Sequence, residues 1–235
     1  MRIVDRLAQL GTTGPLFIAS AREGYVAASG GVATLSGAAV VVPALDGHAL
    51  RLYDGEMVIT GAPDFTKDRH FTAFVVFRVW EGAIYRTVFE RVNGGTSISV
   101  IVNAQGLVEG RVSSTRGGYS RVMRSRSRVD DGDWRIVAIK GIAGNWNSMA
   151  LSLHVNGVKE ATADISPGLF GTSPDYELTT PVRVGRKADT SESLDGDVAV
   201  IAAYDESWTD STIANVSAAL TSGERQGFTG WGIAV

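Results

Sequence analysis

The stretch that decides the fold runs from Asp133 to Gly157, DWRIVAIKGIAGNWNSMALSLHVNG. In its second half Met149, Leu151, Leu153 and Val155 fall on one side, and Ala150, Ser152, His154 and Asn156 on the other. A period of two is what a half-buried β-strand requires, because successive side chains leave opposite faces of a sheet. Asn156-Gly157 then supplies a pair that accepts positive φ, the strongest short-range signal for a hairpin turn. Ahead of it, Trp134 to Lys140 is a second β-rich run, joined through the Gly/Asn loop Gly141 to Ser148. This reading places the hairpin at the centre of an antiparallel sandwich.

Working outward, Phe71 to Trp80 (FTAFVVFRVW) is the most apolar run. Being apolar on both faces, it is expected to be a central strand covered on both sides. Ile84 to Val92, Ser97 to Asn103 and Leu107 to Ser113 follow, separated by Asn93-Gly94-Gly95 and Gln105-Gly106, and predict a meander. Upstream, Leu16 to Val42 offers short β-prone pieces between Gly and Ser. Ala49 to Tyr53, the turn Asp54-Gly55 and Glu56 to Thr60 then predict a compact hairpin. Downstream, Val158 to Ile165, Pro181 to Gly185 and Leu194 to Tyr204 are further strands, and Ser166 to Thr180 is a Pro/Gly/Ser-rich loop. From Trp208 to Leu220 the period changes: Ile213, Val216 and Leu220 sit three and four apart, Thr209 can cap, and Gly223 can end the helix.

Composition narrows the class. The chain has 235 residues, a net charge of -3, 28 glycines, 6 prolines and no cysteine. That length suits one large β-domain. The near-balanced charge argues against nucleic acid as a bulk electrostatic partner. Without cysteine there are neither disulfides nor thiolate metal sites. Asp5, Arg6 and Gln9 interrupt any signal-peptide core, and no run is long enough to span a membrane. Residues 1–13 are expected to form an arm with a short helix bearing Ile3, Leu7 and Leu10; 14–222 the domain; and 223–235 a tail carrying Phe228 and Trp231. The two apolar ends are candidates for assembly contacts or for packing on their own domain.

Two charged segments invite a functional reading. Arg111 to Arg128 concentrates six arginines; on the strand it predicts, Arg124, Arg126 and Arg128 share one face and Arg121 lies on the other. Such a strand is either an anion or protein contact or a solvated edge guarded by charge. Asp130, Asp131 and Asp133 are read as calcium ligands or as turn formers.

Three segments together resemble the laminin-G-like domains of the concanavalin A-like lectin/glucanase superfamily. They are Ala49 to Val58 (ALRLYDGEMV), Trp134 to Gly157, and Val182 to Tyr204 (VRVGRKADTSESLDGDVAVIAAY), in the order and spacing of that family. Arg135 stands where the family usually has His, and His154 where it usually has an aromatic residue. The resemblance implies an all-β jelly-roll sandwich of two curved antiparallel sheets, with a short helix near each terminus. Its members include glycan-binding modules, adhesins, phage head and tail proteins and some glycosidases, so the fold alone does not assign a function.

The family's glucanases carry closely spaced carboxylates on one strand, and no such motif occurs here. Glu56, Glu81, Glu90 and Glu109 stand singly, and catalysis is not expected. For a sugar, Trp146 between Asn145 and Asn147 is a stacking candidate, with Tyr119 and Tyr176 comparable. The resemblance also suggests calcium at a loop rim, where Asp54 and Asp205 are the candidates. The lone domain with apolar ends, no leader and no cysteine favours a virion component made in a host cytoplasm without a signal peptide. It would dock on other virion proteins, form a homo-oligomer and contact host surface glycans; the alternative is a lectin or adhesin module.

Overall fold

The computed structural model describes residues 15–22, 25–44, 47–64, 70–80, 82, 84–93, 96–114, 119–142, 150–160, 178, 180–189 and 192–221. The first half supplies β1 (Phe17–Arg22), β2 (Tyr25–Ser29), β3 (Val32–Gly37), β4 (Val40–Ala44), β5 (Gly47–Arg51), β6 (Gly55–Thr60), β7 (Phe71–Val79), β8 (Arg86–Asn93) and β9 (Thr96–Val102). The second supplies β10 (Leu107–Ser114), β11 (Tyr119–Arg128), β12 (Arg135–Ile142), β13 (Ala150–Val155), β14 (Val158–Lys159), β15 (Val182–Val184), β16 (Gly196–Tyr204) and the helix α1 (Asp210–Thr221). Two antiparallel sheets result. One runs β14-β13-β12-β7-β16-β1-β2, with β5 also on β16 and β4 on β5; the other runs β11-β10-β9-β8-β15-β6-β3.

The strand character read from period two is realised. On β7, Phe71, Ala73, Val75, Phe77 and Val79 enter the core between the sheets, together with Met57, Ile59, Phe89 and Val100 from the second sheet. Phe74 and Val76 leave the opposite face and meet Trp208, Ile213, Val216 and Leu220. Each large apolar side chain buried this way contributes roughly 1.5–3 kcal/mol. The helix forms as its spacing predicts: the Thr209 hydroxyl accepts from the Thr212 amide at 3.1 Å, so Thr209 is its N-cap.

The pairing corrects several expectations. The β12–β13 hairpin forms, with Ile139 opposite Leu153, but it lies toward one edge of its sheet; the centre is β7 beside β16. Ala49–Tyr53 and Glu56–Thr60 do not make a hairpin. β5 is paired on both edges by β4 and β16, and β6 by β3 and β15, so neither has an edge left for the other. Asp54, at φ 54°, instead carries the chain across from one sheet to the other. The meander starts at β8 rather than β7, because β7 belongs to the opposite sheet. The outer face of β13 is not solvated: Ser152 and His154 are buried beside α1. The N-terminal helix and residues 166–177 and 179 of the long loop lie outside the described residues, as do Ile3, Leu7, Leu10, Phe228 and Trp231.

At the β13–β14 turn, Asn156 and Gly157 have φ 52° and 81°. Asn156 donates its amide to the Ile136 carbonyl at 2.7 Å and accepts the Ile136 amide on Oδ1 at 3.0 Å. The turn is therefore locked to the neighbouring strand, and α1 rests on it.

Candidate functional site

The register of the second sheet lines up its outward side chains in rows. Glu90 on β8, Ser99 on β9, Arg111 on β10 and Val122 on β11 form one row. Ser97, Ser113 and Ser120 form the next on one side, and Ile101, Glu109 and Arg124 on the other. All of these but Ile101, together with Lys187, line a groove of about 440 Å³ on the outer face of that sheet.

Its electrostatic centre is Glu109, which is fully buried. One carboxylate oxygen accepts from Asn103 Nδ2 at 2.8 Å and Arg124 Nε at 2.7 Å; the other takes the Arg111 guanidinium, with Nε at 2.9 Å. Burial opposes the charge on Glu109, but these donors outweigh it and hold the carboxyl below its usual range. Each arginine spends its Nε and Nη2 edge on Glu109, and the side chains remain about a third exposed, at 36%. Two guanidiniums on one carboxylate leave a positive wall. The Tyr85 ring, exposed at the groove's edge, sits 5.8 Å from the Arg111 guanidinium carbon.

The opposite wall is acidic. Burial pushes the Glu90 carboxyl above its usual value, only partly countered by the Ala188 amide donating at 3.0 Å and by the charge of Lys187. Burial also works against the charge of Lys187, but Glu192 and Asp189 overcome it and hold its pKa high. Between the walls lie hydroxyls; Ser97 and Ser113 bond one another at 2.7 Å. A cationic wall, a hydroxyl floor and a second carboxyl can together bind a polar ligand in one orientation. Glu90 and Glu109, which look solitary in sequence, share this groove from strands two apart, about 10 Å at ordinary strand spacing. Both oxygens of Glu109 are already committed to Asn103, Arg111 and Arg124.

The arginine strand divides. Arg124 enters the groove with Arg111, whereas Arg128 forks onto Asp130 at 3.0 Å through two nitrogens. Arg126 is exposed, and its amide donates to Glu160 at 3.0 Å. Arg121 sits opposite Val112 on the core side of the sheet. The three aspartates act as turn and ion-pair residues: Asp130 holds Arg128, and Asp131 holds Arg135 and the Asp133 amide. Asn145, Trp146, Asn147 and Tyr176 lie outside the described residues, as does the side chain of Tyr119. Asp54 follows β5 near the Gly196 end of β16, and Asp205 follows its Tyr204 end. Some eight strand residues, about 26 Å, separate them, so the two aspartates cannot share one ion. Among the described residues no group of three or more His, Asp or Glu is placed to hold a metal.

Groove residues beyond the arginines were legible only as alternation: Ser97/Ser99 and Glu109/Arg111/Ser113 are polar at every second position, and on the next strand Ser120 and Arg124 flank Val122 on one face. A second charged cluster lies on the other sheet, where Lys140 and His154, both buried, meet Asp210 at the start of α1. Lys140 also donates to the Trp208 carbonyl at 2.9 Å, and Lys159 reaches Asp210 at 3.1 Å. The hydrogen bond from Lys140, with that from Lys159, holds Asp210 far below the usual carboxylate range against the effect of burial. This cluster fastens the helix.

Comparison with solved structures shows the same fold. Botulinum neurotoxin type C, which enters cells in dependence on two ganglioside molecules, superposes with a TM-score of 0.66 at 10% identity, over 87% of this chain and 51% of that one. The binding domain of Paraclostridial Mosquitocidal Protein 1 gives 0.62 at 12% identity, over 87% and 52%. Domain 4 of AbnA, an extracellular arabinanase of Geobacillus stearothermophilus solved with arabinotriose, gives 0.58 at 14% identity, over 79% and 87%. The chain thus spans about half the length of the toxin chains it matches. Comparison with curated protein sequences gives no match. Residues 58–214 match a laminin G family model described as Concanavalin A-like lectin/glucanases superfamily. With two thirds of its length in that match and the two-sheet sandwich to go with it, the chain belongs to the laminin-G-like domains of the concanavalin A-like lectin/glucanase superfamily.

Proposed function

We propose that the chain is a non-enzymatic glycan-binding module that holds an oligosaccharide in the groove on the outer face of its seven-stranded sheet. The observation that carries this reading is the groove itself: four serine hydroxyls, Arg111 and Arg124 on one wall, Glu90 on the other, and an exposed Tyr85 ring at the edge. Serines and charged groups bond sugar hydroxyls, and an aromatic face stacks on a pyranose. The arabinotriose on AbnA domain 4 and the gangliosides of the neurotoxin lend support, since both proteins share this fold and meet carbohydrate. A glycan array probed with the purified chain tests the reading. Binding should be lost in Ser99→Trp, which fills the groove floor, without loss of the folded circular-dichroism spectrum. An array with no binder, or binding untouched by Ser99→Trp, overturns it.

A second reading is assembly: a virion subunit, made in a host cytoplasm, that docks on other proteins or on its own copies. It is supported by apolar side chains left exposed at strand edges. Val32 and Leu35 on β3 and Val40 on β4 are 64%, 38% and 50% exposed. Soluble domains usually guard such edges with charge. Stoichiometric incorporation into particles, abolished by Val32→Asp with Val40→Asp, is the expected result; incorporation of the doubly substituted chain at wild-type level would refute it.

A further inference from the structure

We infer that the groove selects sugars bearing an oxyanion, with the Arg111–Arg124 pair as the recognition element and Glu109 as its positioning residue. This rests on the glycan-binding reading above and narrows the ligand class.

The argument begins with charge accounting along the cationic wall. Arg111 and Arg124 contribute two positive charges, and the single carboxylate between them, Glu109, contributes one negative charge. One positive charge therefore remains, at side chains about a third exposed. The geometry fixes where it points. The carboxylate engages Nε and Nη2 of both guanidiniums, while Nη1 of each has no protein acceptor among the described residues. An arginine held through one edge keeps a planar donor edge for a second oxyanion, and two such edges side by side favour a group with two or more oxygens.

The clamp is built rather than incidental. Glu109 is fully buried, and Asn103, also fully buried, donates to it while its own Oδ1 accepts the amides of Gln105 and Leu107 at 2.9 and 3.0 Å. The β9–β10 turn thus sets Asn103, Asn103 aims Glu109, and Glu109 aims both guanidiniums outward. A simple surface ion pair needs no such chain of support. On the far side Glu90 and the serines offer acceptors and hydroxyls suited to the neutral part of a sugar and unsuited to a second anion. The ligand that matches both walls has one anionic group and several hydroxyls: a uronic or other carboxylated sugar, or a sulfated one.

The test is isothermal titration of the full chain at low ionic strength with three probes: oligogalacturonate, its methyl ester on the same backbone, and a sulfated oligogalactan. Oligogalacturonate or the sulfated probe should bind, and the methyl ester should bind at least tenfold more weakly. Which of the two anionic probes binds distinguishes carboxylate from sulfate as the group recognised. Arg124→Lys keeps the charge but loses the fork and should weaken anionic binding about tenfold with the thermal midpoint little changed. Arg126→Gln, on the same strand outside the groove, should leave binding unchanged. Equal binding of ester and acid, or equal losses in Arg124→Lys and Arg126→Gln, would overturn the inference while leaving the glycan reading standing. If none of these probes and no glycan on an array binds, both fail together. Should Arg124→Lys fold poorly, Arg111→Lys provides the same comparison from the neighbouring strand.

Discussion

Glu109 Oε1 lies 2.7 Å from Nε of Arg124, and its second oxygen engages Arg111 across two nitrogens. A carboxylate that looks solitary in sequence is therefore the hub of a network on the outer face of the second sheet. Replacing it with Ala would strand the buried Asn103 amide and leave two guanidiniums facing each other. Losing one member of a buried ion cluster costs roughly 3–5 kcal/mol. Both arginines can turn toward water, so about 2–3 kcal/mol is expected for Glu109→Ala, read from urea unfolding. Acid should reproduce the loss. The folded pKa lies below the ordinary 4.5, so the stabilisation is complete above that value and disappears as pH falls through the folded one. A Glu109→Ala chain as stable as wild type would mean that the network contributes nothing.

Gly157 and Gly61 make a matched pair of tests. Both have positive φ, 81° and 73°, but a Cβ at Gly157 would stand 2.9 Å from Ser217 Cβ and 3.1 Å from Ala214 Cα, whereas at Gly61 it meets nothing within 4 Å. Gly61→Ala should cost only the conformational strain, about 1 kcal/mol. Gly157→Ala adds a clash with α1 and should cost about 2–3 kcal/mol. Equal thermal shifts for the two would show that the helix does not press on the turn.

Arg91 is a buried cation held by backbone carbonyls. Its nitrogens donate to the carbonyls of Thr180, Pro63 and Ala62 at 2.8, 2.5 and 2.6 Å, tying the segment after β6 to the segment before β15. Arg91→Met would leave three carbonyls without their donor and should cost about 3 kcal/mol or more. Arg91→Lys keeps the charge but cannot reach all three, and should recover only part of that loss. Limited proteolysis around residues 62–64 would report the released segment, and unchanged cleavage in Arg91→Met would count against this role.

Those cases show how far the chain could be read without coordinates. Period-two alternation reports which side chains share a face, so β7, β12, β13 and the outward polar rows were visible as strands. It does not report which strands pair. The Ala49–Thr60 segment reads as a hairpin because Asp54-Gly55 is a good turn, yet both strands had their edges filled by partners distant in sequence. The groove was hidden for the same reason: Glu90, Ser99, Arg111 and Val122 converge only through the register of four strands. The arginine run was conspicuous in sequence, but it separates: Arg111 and Arg124 enter the groove, Arg128 forks onto Asp130 beyond a register shift in the β10–β11 pair, and Arg121 lies opposite Val112 on the core side.

His154 shows what covering a strand does to a titratable group. The alternation of β13 points it away from the core, but α1 closes over it until it is 1% exposed, with Nε2 3.2 Å from Asp210 and Nδ1 unpartnered among the described residues. Burial lowers its pKa below the ordinary 6.5, the positive charges of Lys140 and Lys159 lower it further, and Asp210 only partly compensates. In the unfolded chain the imidazole takes up a proton near pH 6.5, while in the folded chain it resists until lower pH. Above pH 6.5 both states are neutral there and His154 has no effect on pH dependence. As pH drops below 6.5 the unfolded state binds the extra proton and the fold loses stability, by up to about 1.4 kcal/mol for each pH unit traversed before the folded pKa is reached. Asp210 adds its own loss only near and below the ordinary carboxylate value of 3.8, and Glu90, raised by burial, acts with the opposite sign in both proteins, so the histidine is read from the difference between wild type and a His154 variant between pH 7.5 and 5. Thermal midpoints of wild type should be level above pH 7 and fall across the lower part of that interval. His154→Gln, which cannot titrate, should flatten the curve. Parallel curves for the two proteins would mean that another group carries the acid sensitivity and that α1 does not exclude water from this histidine.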